Sequence, residues 1–222
     1  MSMKSVFTIT ILLLSISFAF GQDEQSPLVE KDIQYRTWTY PDVKTGADVD
    51  LRKFAKNKKL VMVVYFAPWC PNWKHDAPIL QRFYEKYRAS GLDIIGVAEY
   101  DLVPAVNAGI DSLKVTFPIV SESQSRDNRQ TTLHYTYRQS TGDTRKWGSP
   151  WYIFLDPKTI EKDGDVLLTR SNVINGEVIA DEGEKFIRQR LGLPQEDTKT
   201  AAKKDEVEVC DPDHRTTDLK KP

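Results

Sequence analysis

Leu60-Val61-Met62-Val63-Val64-Tyr65-Phe66-Ala67-Pro68-Trp69-Cys70-Pro71-Asn72-Trp73 is the stretch whose reading decides the fold. Its first seven residues form an unbroken apolar run rich in β-branched side chains, the pattern of a central strand buried on both faces. A helical pattern follows, with Ile79, Leu80, Phe83, Tyr84 and Tyr87 recurring at three- and four-residue spacings until Gly91 stops it. Cys70 therefore falls between a buried strand and the first turn of a helix. Free backbone N–H groups and the helix dipole there favour a thiolate, the nucleophilic form. Pro71 suits the first turn because its missing N–H would have had no helical partner. A lone cysteine is more often a small buried hydrophobe, and it is the strand–turn–helix setting that argues for a reactive one.

Outward from this stretch the alternation continues. Leu92 to Ala98 reads as a strand, Val103 to Leu113 as a short helix, and Phe117 to Val120 as a strand entered through Pro118. Glu122 to Trp147 is polar and reads as an insertion loop or small lid. Trp151 to Leu155 is a strand, turned at Asp163-Gly164-Asp165 into a partner from Val166 to Arg170, and Glu182 to Leu191 is an amphipathic closing helix before Gly192 and Pro194. Upstream, Ile33 to Val49 alternates around Pro41 and Gly46 as an opening hairpin would. The expected class is α/β, with strands of mixed direction.

The chain has 222 residues, 40% of them hydrophobic, enough for one domain with its own core. With 31 Lys and Arg against 32 Asp and Glu, its net charge is -1 and the signs are interspersed. No basic stripe is present for a phosphate backbone, so nucleic acid is not an expected partner. Lys4 precedes an apolar run from Val6 to Phe20, shorter than the roughly 20 residues of a membrane span, and Ala19-Phe20-Gly21 supplies small residues for a peptidase. The expected organisation is a signal peptide over 1–21 cleaved after Gly21, a disordered linker over 22–32, one domain over 33–192, and a disordered charged tail over 193–222. An uncleaved anchor is the alternative for the N-terminus; after cleavage no stable membrane insertion is expected. The expected location is periplasmic or extracellular, where a disulfide can persist. Cys70 and Cys210 are the only cysteines and allow one intramolecular pair.

Val63 to Pro78, VVYFAPWCPNWKHDAP, resembles the active-site segment of the thioredoxin-like superfamily, and within it the exported bacterial thiol–disulfide oxidoreductases of the TlpA/ResA-like subgroup. Asp50-Leu51, Gly91-Leu92, Gly96-Val97, Phe117-Pro118 and Gly148-Ser149-Pro150 continue the resemblance over roughly residues 35 to 192. It implies a thioredoxin-like fold: a central mixed β-sheet flanked by helices on both faces, an N-terminal hairpin, and a polar insertion before a strand that follows a cis proline. It also implies that Cys70 is catalytic, that Pro150 is the cis proline packed against it, and that Ser149 offers backbone groups to an extended substrate. The implied partner is a protein or peptide bearing a thiol or a disulfide, with no cofactor. Asp76 stands where the subgroup keeps an acid, either to assist proton transfer or as a solvated acid complementing the helix dipole.

Two departures qualify the resemblance. Trp73 occupies the place of the resolving cysteine, so release of a mixed disulfide within the motif is not possible. Val64 occupies the place of a buried acid in cytosolic thioredoxins. Three readings follow. The chain is a single-cysteine oxidoreductase resolved by an external thiol or by Cys210, a redox-silent module binding a peptide or protein, or a peroxidase akin to the peroxiredoxins. The last is disfavoured, because Ala67 and Val63 replace residues those enzymes keep. Trp69, Trp73 and Trp151 are expected near Cys70 as an apolar collar for a substrate. His75, five residues after Cys70, points away from it on a helix. His134 lies in the insertion and His214 in the tail. No His, Cys and carboxylate group has metal spacing, so no metal is expected.

Overall fold

The computed structural model describes residues 24–195. Its centre is β5 (Leu60–Phe66), all seven residues of which are buried. A strand apolar on both sides must be covered on both faces, and the rest of the chain does so. β6 (Leu92–Ala98) pairs parallel with β5, and β7 (Ile119–Ser121) parallel with β6. On the other side β8 (Trp151–Leu155) runs antiparallel to β5, β9 (Val166–Ile174) to β8, and β2 (Val29–Arg36) to β9. The six-stranded sheet has the order β2-β9-β8-β5-β6-β7.

Side chains alternate across the sheet, so β5 feeds two separate cores. Met62, Val64 and Phe66 meet α2 (Pro71–Tyr87), α3 (Val103–Ser112) and α5 (Ala180–Leu191) on one face. Val61, Val63 and Tyr65 meet α1 (Leu51–Ala55), α4 (Leu133–Ser140) and the aromatic side chains of β2 on the other. The spacing read from the sequence is the one α2 uses: Trp73, Ala77, Leu80, Tyr84 and Tyr87 form its buried stripe. Gly96 is required by packing, since a Cβ there would lie 2.4 Å from Ile119 Cδ1 and 2.9 Å from Phe66 Cε1.

The mixed sheet with helices on both faces is the thioredoxin-like architecture. The hairpin expected over Ile33 to Val49 is present in part, as β3 (Thr39–Pro41) against β4 (Asp48–Asp50), while Ile33 to Arg36 belong to β2, which pairs with β9. The stretch 22–32 is corrected: from Glu24 onward it is not a disordered linker. β1 (Gln25–Ser26) pairs parallel with β10 (Glu177–Val178), and β2 starts at Val29. The reason is pairing energy from afar. β2 alternates Ile33 and Tyr35 inward against polar residues outward and takes the free edge of β9. The polar insertion also differs from a loop or lid. It forms a 3-10 turn and α4, whose N-cap Thr132 accepts from the Tyr135 N–H, and it buries His134, Tyr137 and Arg138. The signal peptide over 1–21 and the tail from residue 196 lie outside the described residues. Among the described residues no helix is long and apolar enough to cross a membrane.

Candidate active site at the start of helix α2

β5 ends at Phe66, and Ala67-Pro68-Trp69 turns the chain so that Cys70 becomes the N-cap of α2, with Pro71 as its first helical residue. Cys70 is fully buried. Its Sγ lies 3.3 Å from the carbonyl oxygen of Ser149, and the Ser149–Pro150 peptide bond is cis. The Ser149 hydroxyl oxygen accepts the Ala67 N–H at 2.8 Å, which ties this loop to the turn before the cysteine. The resemblance thus placed Cys70 beside Ser149 and Pro150, which lie 79 and 80 positions further along the chain. Cys70 is held in a disulfide. The other cysteine of the sequence, Cys210, lies outside the described residues.

Asp76 is completely buried, which removes the reading of a solvated helix acid. Its carboxylate accepts the Tyr152 hydroxyl, the Val178 N–H at 2.9 Å and the half-exposed His75 Nδ1 at 3.2 Å. Burial raises its pKa, and these three donors pull it partly back. His75 Nδ1 also lies 3.5 Å from Glu177 Oε2. His75, Asp76 and Glu177 place one ligand atom each within 4.8 Å of one another, a metal-like trio that sequence spacing did not reveal because Glu177 arrives from β10. Asp76 already accepts from three groups, so the trio reads as a hydrogen-bonded network as it stands.

The tryptophans are distributed differently from the expected collar. Trp73 is fully buried and stacks on Phe66 with ring centres 3.9 Å apart. It fills core beneath the site, because the helix position that follows Cys70 by three faces the sheet. Trp151 points into the opposite core, where its Nε1 donates to Asn175 Oδ1 at 2.8 Å. Trp69 instead packs edge-on against Trp147 at 5.2 Å. Arg126 lies over Trp69 at 5.1 Å, while Arg129 and Lys146 lie over Trp147 at 5.2 and 5.5 Å.

The residues that hold the cis-proline loop were not foreseen. Arg145 donates to the carbonyls of Pro150 at 2.8 Å and Ser149 at 3.4 Å, and pairs with Asp143 at 2.7 Å and Glu24 at 3.0 Å. Buried Arg138 donates to the carbonyls of Arg145 and Lys146. His134 Nε2 lies 3.0 Å from the Gly148 carbonyl, and its Nδ1 lies 2.9 Å from the Tyr100 hydroxyl. A carbonyl can only accept, so Nε2 carries the proton. Burial holds the ring well below the usual imidazole pKa, so Nδ1 accepts from Tyr100. Gly148 has φ +57°, and a Cβ there would meet Arg138 Cδ at 2.4 Å. The one available signal was Arg138, His134 and Tyr137 at helical spacing, but polar residue types disguised their burial.

A disulfide-bonded cysteine at a helix N-terminus, facing the carbonyl before a cis proline on a mixed sheet with helices on both faces, defines the class as thioredoxin-like. The Redoxin family matches residues 32–165, well over half the chain, and the protein belongs to that family. Over 61 residues, 28% of this chain and 32% of the relative, it is 33% identical to "Thiol-disulfide oxidoreductase ResA" of Oceanobacillus iheyensis, so the match spans about a third of that protein. Among solved structures it is similar to a putative thiol:disulfide interchange protein DsbE from Chlorobium tepidum. That likeness has a TM-score of 0.50 at 20% identity and covers 74% of this chain and 99% of that one. A thiol:disulfide interchange protein from a Bacteroides species gives a TM-score of 0.52 at 18% identity, covering 73% of this chain and 90% of that one. These structural likenesses carry the fold. Together with the family match they agree with the resemblance to thioredoxin-like, TlpA/ResA-like proteins read from the sequence.

Proposed function

We propose that this protein is an exported thiol–disulfide oxidoreductase whose attacking sulfur is Cys70 and whose resolving sulfur is Cys210. In the reduced protein the Cys70 thiolate attacks one sulfur of a substrate disulfide, forming a mixed disulfide and releasing one substrate thiolate. The Cys210 thiolate then attacks the Cys70 sulfur and releases the second substrate thiolate. Two electrons pass from the protein dithiol to the substrate, and an external thiol reductant restores the dithiol. The substrate is a peptide or protein segment, aligned by the backbone of Ser149 before Pro150 and flanked by Trp69. Asp76 is the buried acid positioned one helical turn and a half beyond Cys70. Trp73 serves as packing and leaves the motif without its own resolving thiol.

The observation that carries this reading is that Cys70, beside the Ser149 carbonyl, is disulfide-bonded in a chain whose sequence holds one other cysteine. Export is supported by the N-terminal sequence pattern and by the oxidising setting that a structural or catalytic disulfide needs. The test is turnover of a fluorescent disulfide peptide by the mature, reduced chain, with peptide mapping of the oxidised product. Wild type should turn over and end as a Cys70–Cys210 disulfide. Cys70→Ser should be inactive, and Cys210→Ser should accumulate the mixed disulfide on Cys70. Turnover that survives in Cys70→Ser would overturn the proposal, and a wild type that binds the peptide without reacting would make the fold a redox-silent binding module.

A further inference from the structure

We propose that the Trp69–Trp147 pair and its three cations, Arg126, Arg129 and Lys146, form the seat on which the acidic segment around Cys210 docks when that cysteine pairs with Cys70. The inference rests on the proposed Cys70–Cys210 pairing and says what steers it. Three cationic groups converge on two indoles that adjoin the site: Trp69 is the residue before Cys70, and Trp147 stands two residues before Ser149. The local neutralisation is slight. Arg126 has Asp101 at 4.0 Å, with both side chains partly exposed, and Arg129 Nε is buried without a hydrogen-bond partner. The indole N–H groups of both Trp69 and Trp147 are also buried and unpartnered. Buried donors without acceptors, around a cation-rimmed aromatic surface, call for an occupant rich in carboxylates and carbonyls.

The sequence supplies such an occupant. Asp205, Glu206, Glu208, Asp211 and Asp213 surround Cys210, and no basic residue falls between 205 and 213. The chain reaches easily. Described residues end at Gln195, beyond the end of α5, and the fifteen residues from there to Cys210 span up to about 50 Å when extended. Charge attraction would raise the effective concentration of the Cys210 thiol at Cys70 above that of an unguided flexible tail. Docking of the tail is thus a built-in guide for resolution, taking the place of the motif cysteine that Trp73 has replaced.

The experiment measures how readily the pair forms in mixtures of reduced and oxidised glutathione. The full mature chain is equilibrated, alkylated and weighed, which gives the equilibrium constant for Cys70–Cys210 formation. Combined Arg126→Glu, Arg129→Glu and Lys146→Glu should lower that constant by about tenfold at low salt, as three partly exposed charge pairs would. The gap should close near 1 M salt. Neutralising the segment instead (Glu206→Gln, Glu208→Gln, Asp211→Asn, Asp213→Asn) leaves the described domain untouched. It should lower the constant similarly, and combining the two sets should add little further. The control Lys162→Glu, an exposed lysine on the β8–β9 loop, should leave the constant unchanged. A constant indifferent to both charge sets and to salt, with the Cys70–Cys210 bond still forming, overturns the seat and spares the oxidoreductase reading. A wild type that forms only intermolecular disulfides, or none, overturns both.

Discussion

The two faces of the sheet make an instructive pair. The face that carries Cys70 is mostly dry: Met62, Val64, Phe66, Leu92, Ile94 and Ala98 meet Trp73, Leu80, Phe83 and Ile187, with the Asp76–Tyr152 bond set among them. The opposite face is just as buried but is built from polar aromatic rings. There the Tyr35 and Tyr65 hydroxyls lie 2.9 Å apart, Trp38 Nε1 donates to Tyr35 at 3.2 Å, and the Tyr137 hydroxyl accepts the Arg36 N–H at 3.1 Å. Each hydroxyl there has a partner, so burial costs little. The exception is Glu99 at the end of β6. It is fully buried, neither carboxyl oxygen has a partner in hydrogen-bond geometry, and burial together with the nearby Glu122 pushes its pKa well up. Cys70 thus sits over the simpler, mainly apolar core, while the more heavily hydrogen-bonded core holds α4 and the cis-proline loop.

If the dry face owes its stability to packing alone, truncation there should cost the most. Trp73→Ala should lose about 3–5 kcal/mol of unfolding free energy, measured by urea titration, because a fully buried stacked indole is replaced by a void. A loss near zero would mean that Trp73 is not core.

On the wet face the next largest effect should have the opposite sign. Glu99 holds a proton in the folded state at pH values where the unfolded chain has released it. Its contribution to stability is therefore full below about pH 4.5 and declines as pH rises toward its folded pKa. Glu99→Gln should raise the stability at pH 8 by about 1–3 kcal/mol, the scale of an uncompensated buried polar group, and flatten the pH profile. His134 works in the other direction: its depressed pKa means stability is lost as pH falls below about 6.5, where the unfolded imidazole gains a proton. Melting curves between pH 4 and 9 check both slopes, and a Glu99→Gln profile parallel to wild type would remove the assignment.

Tyr65→Phe should cost about 1 kcal/mol, the net worth of one hydroxyl bond whose partner, Tyr35, keeps the Trp38 donor. A loss equal to that of Trp73→Ala would erase the contrast between the faces. The smallest effect is expected on the exterior: breaking the exposed Lys44–Asp111 pair with Asp111→Asn should change stability by about 0.5 kcal/mol or less.

How much of this was legible follows from where the information lies. β5, α2 and the succession of strands and helices along the chain came from periodicity, a local property. The neighbourhood of Cys70 and Ser149-Pro150 came from the resemblance. The edge strand β2 carried a readable alternation at Ile33 and Tyr35, but the polar residues around Val29 masked its start. Glu177 beside His75, Trp147 beside Trp69, and Arg145 beneath Pro150 depend on contacts between distant segments, and no local pattern encodes them. Trp151 was misplaced for a simple reason of parity: strand neighbours point to opposite faces, and it is Tyr152, not Trp151, that shares Asp76's side.

Glu24 opens the described chain, and its carboxylate meets both Asn72 in the first turn of α2 and Arg145 under the cis-proline loop, while its carbonyl accepts the Glu177 N–H. Glu24 is therefore a clasp that joins the first turn of α2, the cis-proline loop and β10. Cutting back past Glu24 would strip one anion from both α2 and the cis-proline loop at once.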